Sequence, residues 1–175
     1  MKVGVVNFMK SGHPEFLYDV LGDDILIVNH KTDWMNAIRN SRIKHWFLTG
    51  SAYDVLQPGT PQITTDLLTM TDKRFFLICY SMESLLLHLG CRLIKRPKSA
   101  RERFSLLMRG KQIDAWRNHY TYVVPDSLKS GMRCLATYDG ETMTVEYKNT
   151  MMTQWHPEKT EDGVRFIHQW LNRKN

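Results

Sequence analysis

The stretch that most constrains the fold of this chain runs from Arg74 to Gly90, where an apolar segment passes directly into a helical pattern. Residues 74–79 contain no glycine or proline, which is typical of a buried strand in a parallel sheet. From Ser81 onward, apolar residues recur at spacings of three and four, which predicts a helix that ends at Gly90. Cys79 is therefore predicted to lie at a sharp turn between a strand and a helix.

A cysteine at such a turn is a candidate nucleophile. The turn lifts the side chain out of the sheet, beside the free amides of the helix N-terminus, which lower the pKa of a thiol and can hold a negative oxygen. The alternative is that Cys79 is a core residue, because cysteine is among the most frequently buried residue types. This stretch alone leaves both interpretations open.

The first 90 residues contain four apolar segments, each followed by a helical pattern or by a loop that leads into one. This alternation predicts βαβ units and an α/β fold with a mainly parallel central sheet flanked by helices. Ligands of such sheets bind at the carboxyl ends of the strands, so Cys79 and the turn at Gly50 and Ser51 are expected to face one crevice. The segments expected to form buried strands are 2–8, 25–28, 43–48 and 74–79.

The second half of the chain has a different character. Short apolar segments over 92–95, 104–108, 120–124, 132–137, 142–147 and 150–155 predict an added antiparallel section. Residues 138–141 between two of them form a hairpin signal. Helices are expected near 65–70 and over 161–171. With no internal repeat or linker, residues 1–175 are predicted to form a single domain.

The composition excludes several classes of protein. No apolar run approaches 18 residues, so no membrane span is expected, and the first residues resemble a strand rather than a secretory signal. The three cysteines form no CxxC motif, which favours a reducing, cytoplasmic location. The net charge of +6 permits an acidic partner, but without a recognisable nucleic-acid-binding module we do not expect nucleic acid.

Near the C-terminus, His156-Pro157-Glu158 provides a second candidate for chemistry. Proline disfavours the helical region for the residue before it, so His156 should be extended. Positions two apart in an extended chain project to the same side, so Glu158 can bond one nitrogen of the ring and leave the other free as a base. The alternatives are a surface turn and a metal site. No other His or Cys cluster has the spacing of metal ligands, so no metal is expected.

Three motifs together resemble the class I glutamine amidotransferase superfamily. Residues 77–83, Leu-Ile-Cys-Tyr-Ser-Met-Glu, resemble its elbow, Gly-x-Cys-x-Gly-x-Gln or Glu. Residues 154–158, Gln-Trp-His-Pro-Glu, resemble its closing motif, and residues 47–52 resemble its Leu-Ser-Gly-Gly-Pro turn after the third strand. The order and separation of the motifs agree with the family, and the resemblance covers nearly the whole chain.

The resemblance implies a flavodoxin-like fold and a cysteine-dependent amidohydrolase with the catalytic triad Cys79, His156 and Glu158. The Cys79 thiolate would attack the side-chain amide carbon of glutamine, and His156 would give a proton to the departing ammonia. Water would then hydrolyse the γ-glutamyl thioester.

The resemblance also assigns residues around the triad. The oxyanion hole would consist of backbone amides of Tyr80, Gly50 and Ser51. The residues implied to contact the substrate are Glu83 and, by their position in the segment 117–120, His119 and Tyr120.

The chain departs from the family pattern in its elbow. Leu77 and Ser81 replace two glycines, and Leu77 places a bulky group next to a strained turn. Ser51 replaces the second glycine of the turn after the third strand. Glu83 in place of glutamine resembles the γ-glutamyl hydrolase branch, and a carboxylate there is expected to prefer the ammonium group of a substrate.

Three functions are consistent with these features. The first is a glutaminase that supplies ammonia to a separate synthase partner, acting on glutamine without a cofactor. The second is a stand-alone hydrolase of γ-glutamyl conjugates, suggested by Glu83 and residues 154–159. The third is a catalytically decayed binding or regulatory protein on the same fold, suggested by Leu77 and Ser81.

Overall fold

A computed structural model describes residues 2–10, 12 and 14–173 of the chain. These residues contain nine strands and four α-helices. Short 3₁₀ turns span Thr65–Thr69, Pro125–Ser127 and Pro157–Lys159. The helices are α1 (Glu15–Leu21), α2 (Trp34–Asn40), α3 (Tyr80–His88) and α4 (Glu161–Asn172). The strands are β1 (Val3–Asn7), β2 (Ile25–Asn29), β3 (His45–Leu48), β4 (Arg74–Ile78), β5 (Leu93–Met108), β6 (Lys111–Val123), β7 (Arg133–Tyr138), β8 (Glu141–Tyr147) and β9 (Thr150–Thr153).

Seven of the strands form a central sheet in the order β2-β1-β3-β4-β9-β8-β7. The first five are parallel, and β8 and β7 extend the sheet with antiparallel pairing. Strand β4 lies between β3 and β9, with Leu77 opposite both Leu48 and Met152. The prediction of a mainly parallel sheet flanked by helices, with an added antiparallel section, is confirmed.

The two faces of the sheet bury separate apolar clusters because successive strand residues point to opposite sides. Trp46 and Leu77 pack with α2 and α3 on one face. Phe47 and Phe76 pack with α1 and α4 on the other, where Phe76 and Trp170 meet edge to face with ring centroids 5.2 Å apart. The sheet is therefore covered on both sides, as parallel sheets require.

Strand β2 was expected to be buried, and this was wrong. In the described part of the chain it pairs with β1 alone and forms one edge of the sheet. Leu26 is 37% exposed and Ile27 is 48% exposed. An apolar run of this length is compatible with a buried strand or an edge strand, and the position along the sheet is decided by tertiary pairing rather than by local sequence.

Strands β5 and β6 were only partly predicted. They form a long two-stranded hairpin, here called the ribbon, which includes charged residues between the predicted apolar segments. Only one side is buried, with Phe104, Leu106 and Ala115 in the cluster that contains Phe47. Polar residues on the other side interrupt the apolar pattern, which made one long strand resemble shorter ones. Similarly, residues near 65–70 form a 3₁₀ turn rather than the expected α-helix.

A buried carboxyl group ties the ribbon to the central sheet. Glu141 at the start of β8 is fully buried, and its oxygens accept hydrogen bonds from Arg96, from Arg117 (3.0 Å) and from His119 (2.8 Å). Burying a carboxylate is costly unless several donors satisfy it. These three donors come from both strands of the ribbon, so the ribbon is held against β8.

Helix α4 begins in close contact with the segment that precedes it. The Thr160 side chain accepts a hydrogen bond from the Gly163 N–H at 3.1 Å, which caps the helix. A side chain on Gly163 would overlap the carbonyl oxygen of Pro157, which is backbone and cannot rotate away. A glycine at this position therefore permits the helix to pack directly on residues 156–158.

We predict that Gly163→Ala lowers the free energy of unfolding by about 1–3 kcal/mol, because the added methyl group must displace the backbone of Pro157. Urea denaturation measures this change. Gln169→Ala, on an exposed position of the same helix, is the matched control and should leave the midpoint nearly unchanged. Equal stability of Gly163→Ala and the wild type would show that the close contact is not a constraint.

Candidate active site

Cys79 lies between β4 and α3, as the sequence predicted. Its backbone adopts φ 51° and ψ −109°, a region that non-glycine residues rarely occupy and that carries strain. The Cys79 carbonyl already accepts the first hydrogen bond of α3, from the Glu83 N–H at 3.0 Å. The side chain is thus fixed at the end of a buried strand and at the beginning of a helix.

Gly50 lies beside Cys79 at the end of β3. A side chain on Gly50 would begin 3.1 Å from the Cε1 atom of His156 and 3.4 Å from the Cβ atom of Cys79. The imidazole and the cysteine therefore border the same small space, and a glycine keeps that space open. The turn that follows, through Ser51, lines the same cavity as Cys79 and His156.

The His156 ring is oriented by Glu158, whose Oε1 atom lies 2.8 Å from Nδ1. His156 itself is extended, as predicted, but Pro157–Lys159 form a 3₁₀ turn, so the contact is made across a turn rather than along a strand. A carboxylate on Nδ1 favours the tautomer with the proton on that nitrogen, which leaves Nε2 free to accept a proton. The His156 backbone N–H also donates to the carbonyl of Trp116 in β6 at 2.7 Å, so the ribbon holds this residue in place.

The thiol of Cys79 is buried and neutral at rest. Burial is the main cause that raises its pKa well above the usual value, and the nearby carboxyls of Glu83 and Glu158 raise it further. The Tyr80 backbone amide and the Gln154 side chain act in the opposite direction. The backbone amide at the start of α3 lowers the pKa of the thiol as expected, but desolvation outweighs it and the net shift is upward.

The sulfur is hydrogen-bonded to groups other than His156. Sγ lies 3.8 Å from the carbonyl oxygen of Asn118, to which it donates, and 3.7 Å from Nε2 of Gln154. In the part of the chain that the structure describes, no hydrogen bond joins Sγ to the His156 ring. Proton transfer between the two requires the thiol to turn from Asn118 toward the imidazole across the space beside Gly50.

Glu83 and Gln154 form a buried pair next to the sulfur. Gln154 Nε2 donates to Glu83 Oε1 at 2.7 Å, and both residues are almost completely buried. Desolvation raises the pKa of Glu83 to about 8, although the Gln154 hydrogen bond lowers it. Glu83 is consequently protonated at neutral pH. The expectation of a charged carboxylate at this position is therefore not met.

His119 and Tyr120 both line the cavity, but they differ in exposure. His119 is buried, and desolvation is the main cause that lowers its pKa, so the ring is neutral. Its Nε2 atom is held by Glu141, and its Nδ1 atom has no hydrogen-bond partner among the described residues. Tyr120 is 56% exposed at the rim. The neutral Nδ1 atom can therefore accept a hydrogen bond from a bound ligand.

The two substituted glycines of the elbow are accommodated without disturbing Cys79. Leu77 points into the apolar cluster with α2 and α3, away from the face that carries Phe76 and Ile78. Ser81 is fully buried, and its hydroxyl donates to the carbonyl of Thr49 at 2.5 Å. The serine thus connects the first turn of α3 to the end of β3, next to Gly50.

Two residues of the site were not predicted from the sequence. Gln154 contacts both Glu83 and the sulfur, and Asn118 supplies the carbonyl to which the thiol donates. Gln154 precedes His156 by two residues, so the same-side argument applied to Glu158 could have identified it. The Asn118 contact involves a backbone oxygen, which carries no signal in the sequence.

The cavity at this site has a volume of about 670 Å³. Beyond the sulfur its lining includes aromatic and basic side chains, together with the acidic residues Glu15 and Asp54. Lys10 lies over the Tyr53 ring at 4.9 Å, and Lys159 lies over the exposed Phe16 ring at 5.4 Å. Lys95, which also lines the cavity, forms an ion pair with Asp54 at 2.5 Å.

Residues 2–10, 12 and 14–173 contain neither a metal site nor a membrane-spanning helix. No group of three or more His, Cys, Asp or Glu side chains in these residues is arranged to hold a metal ion. None of their helices combines the length and apolar character needed to cross a membrane.

We predict that the stability of Glu83→Gln depends less on pH than that of the wild type. The pKa of Glu83 is about 8 when folded and near 4.5 when unfolded. Between these values the folded state keeps a proton that the unfolded state has lost, so this group makes stability fall as pH rises. Glu83→Gln has no carboxyl group to lose a proton on unfolding. The free energy of unfolding of the variant minus that of the wild type should therefore increase by about 2–4 kcal/mol between pH 5 and 8.

Urea denaturation at several pH values measures this difference. Glu161→Gln is the matched control, because the Glu161 side chain is 94% exposed and its replacement should leave the pH profile unchanged. Parallel profiles for Glu83→Gln and the wild type would contradict a protonated Glu83.

Two comparisons with known proteins give a match, one at the level of sequence and one at the level of structure. A scan against models of protein families matches residues 19–170 to the family described as glutamine amidotransferase class-I. A search of curated proteins finds no match. Among solved structures, the chain is similar to the crystal structure of a provisionally assigned GMP synthase component from Thermoplasma acidophilum. The sequence identity is 17% and the TM-score is 0.71, over 98% of this chain and 92% of that chain.

At this identity the structural similarity shows a shared fold, whereas the family match rests on the sequence itself. The matched range includes the elbow at Cys79, the turn at Gly50 and the closing motif at 154–158. The resemblance inferred from these three motifs is confirmed. The chain belongs to the class I glutamine amidotransferase family.

Proposed function

We propose that this protein is a glutaminase that hydrolyses the side-chain amide of glutamine through a thioester on Cys79 and supplies the ammonia to a separate synthase. One observation carries the proposal. Cys79, in a strained turn, and His156, oriented by Glu158, border the same open space beside Gly50. A thiol, an imidazole and a carboxyl group in this order are the parts that nucleophilic attack on an amide needs.

The first step transfers the thiol proton to His156. Because the thiol is protonated at rest, Nε2 of His156 accepts its proton as the sulfur attacks the amide carbon. The C–N bond then breaks while His156 returns the proton to the leaving nitrogen, which departs as ammonia. A water molecule, deprotonated by His156, cleaves the resulting thioester to release glutamate and restore the thiol. Glu158 stabilises the protonated ring throughout.

The negative oxygen of each tetrahedral intermediate would be held by backbone amides. The Tyr80 N–H lies at the start of α3 and is directed toward the sulfur, where the helix dipole favours negative charge. Among the described residues, the N–H groups of Gly50 and Ser51 donate no hydrogen bond to the protein. These three donors are our proposed oxyanion hole.

The remaining contacts of glutamine are proposed from the cavity wall. The unpartnered Nδ1 atom of His119 would accept a hydrogen bond from the α-ammonium group, and Tyr120 would cover the substrate at the rim. Protonated Glu83 would offer an O–H donor beside the sulfur instead of a charge. The synthase partner is supported by the structural neighbour, which is provisionally assigned to GMP synthase.

We predict that brief incubation with glutamine, followed by acid quench and intact-mass analysis, detects one glutamyl group on Cys79. Peptide mapping locates the group. Cys79→Ala should abolish both the adduct and ammonia release, and Glu158→Gln should lower kcat by about 10²–10⁴-fold by loosening the imidazole. Cys134→Ala is the matched control, because this exposed cysteine lies outside the site, and it should retain full activity.

Two results would contradict the glutaminase. An adduct that persists in Cys79→Ala would place the nucleophile elsewhere. Binding of glutamine without an adduct, and without labelling of Cys79 by the glutamine-like electrophile diazo-oxo-norleucine, would favour a binding or regulatory protein that keeps the fold but not the reaction.

A stand-alone hydrolase of γ-glutamyl conjugates is the second candidate function. The cavity of about 670 Å³ extends beyond the space that glutamine needs. Lys10 and Lys159, together with the rings of Phe16 and Tyr53, would suit a leaving group that carries a carboxylate or an aromatic ring. The chemistry at Cys79 would be the same, with an amine in place of ammonia.

Turnover of glutamine and of larger γ-glutamyl amides, with and without added synthase, separates the two functions. For the glutaminase we predict slow ammonia release alone and an increase of at least about tenfold when the cognate synthase is added. For the conjugate hydrolase, γ-glutamylglutamate should be cleaved without a partner, and Lys10→Ala should raise its KM. Lys111→Ala, on the distant hairpin tip, is the control.

A further inference from the structure

The free edge of the central sheet has a feature that the proposed function does not use. Among the residues that the structure describes, no strand pairs with the outer side of β2, and its apolar residues Leu26 and Ile27 are 37% and 48% exposed. Natural sheets usually protect such an edge with charges, a proline or a covering segment. Strand β2 contains no charged residue and no proline. An exposed apolar edge of this kind is suited to pairing with another strand.

The directions of the backbone groups show which residues of β2 can pair. The carbonyl of Asp24 accepts from Val3, and the N–H of His30 donates to Asn7, so the backbone groups of even-numbered residues point inward to β1. In a parallel ladder, the backbone N–H and C=O groups of successive residues point alternately to the two sides of the strand. The N–H and C=O groups of Ile25, Ile27 and Asn29 are therefore directed outward from the sheet.

The residues around β2 are complementary to themselves. If two copies of β2 pair in the antiparallel direction about a two-fold axis at Ile27, the two Ile27 residues face each other as a hydrogen-bonded pair. Ile25 of each copy then faces Asn29 of the other, and all of these residues have outward backbone groups. The strand is preceded by Asp23 and followed by Lys31, and the same pairing brings these two residues together across the axis.

The charges at the two ends of β2 are not paired with any residue that the structure describes. Among the described residues, Asp23, Asp24 and Lys31 form no ion pair, and all three are exposed. Two copies in the opposite orientation, with parallel strands, would place like charges next to each other. Charge and hydrogen-bonding direction therefore both select the antiparallel two-fold arrangement.

We propose that the β2 edge is an interface with a second copy of this chain, in which two antiparallel β2 strands join the two central sheets into one continuous sheet. No residue of β2 lines the cavity at Cys79 in the described part of the chain, so both candidate active sites remain open in such a dimer. Two five-residue strands make a small interface, and we expect a Kd of about 1–100 µM.

Sedimentation velocity of the full chain between about 1 and 200 µM tests the dimer against this expected Kd. We expect a species of twice the chain mass of 20.6 kDa at the upper concentrations. Ile27→Lys should raise Kd at least about tenfold, because it places two like charges opposite each other at the axis. Leu107→Lys is the matched control, since this residue is equally apolar and 56% exposed but lies on the ribbon. It should leave Kd unchanged.

A charge exchange provides a test that does not depend on the folding of Ile27→Lys. Lys31→Asp should weaken the dimer, because the new carboxylate would face Asp23 of the second copy. Combining Asp23→Lys with Lys31→Asp should restore the dimer. Hydrogen exchange should show that the amides of Ile25 and Ile27 become protected with rising concentration, whereas the inward amide of Val28 is protected throughout. Exchange and sedimentation together locate the contact.

Three outcomes would overturn the proposal. If the chain is still a monomer at about 200 µM, two copies do not pair through β2. Pairing with a strand of another protein would then be the remaining use of this surface. A dimer that Ile27→Lys and Lys31→Asp leave intact would be formed by another surface. Failure of the double exchange to restore a dimer weakened by Lys31→Asp would exclude the antiparallel arrangement.

Discussion

The parallel pairing of β4 with β3 on one side and β9 on the other is the constraint on which the rest of the structure depends. The three strands are buried, and their registers place Leu48, Leu77 and Met152 in one row across the sheet. Because parallel strands end at the same edge, the segments that follow them must meet there. Cys79, Gly50 and His156 are distant in the chain, yet they come together for this single geometric reason.

A second constraint acts on the side of the ribbon. Glu141 is fully buried with Arg96, Arg117 and His119 around it, and removing any of these donors would leave a buried carboxyl group partly unsatisfied. This cluster fixes the position of β6 along the edge of the central sheet at which β8 begins. It thereby determines which backbone carbonyl the thiol meets and where the His156 backbone is held. The polar cluster is therefore coupled to the site without touching the sulfur.

The elbow shows how a family pattern can lose glycines and keep its geometry. The positive φ falls on Cys79, and the neighbouring substitutions do not have to adopt it. The Leu77 side chain lies on the face of β4 opposite to Phe76 and Ile78, where it packs in the apolar core. Ser81 adds a hydrogen bond to Thr49 that glycine could not make. The changes at these two positions therefore give no structural reason to infer that the turn has been lost.

The sequence by itself determined the alternation of strands and helices, the strand-to-helix turn at Cys79 and the pairing of His156 with Glu158. These features follow from local periodicity, from proline and from short spacings. Only the tertiary structure decided that β2 is an edge, that the ribbon is separate from the central sheet, and that Gln154 and Asn118 surround the sulfur. It also decided that the Cys79 thiol and the Glu83 carboxyl are protonated at rest. Strand order and desolvation depend on groups that are far apart in the chain, and no local pattern of residues records how deeply those groups will be buried together.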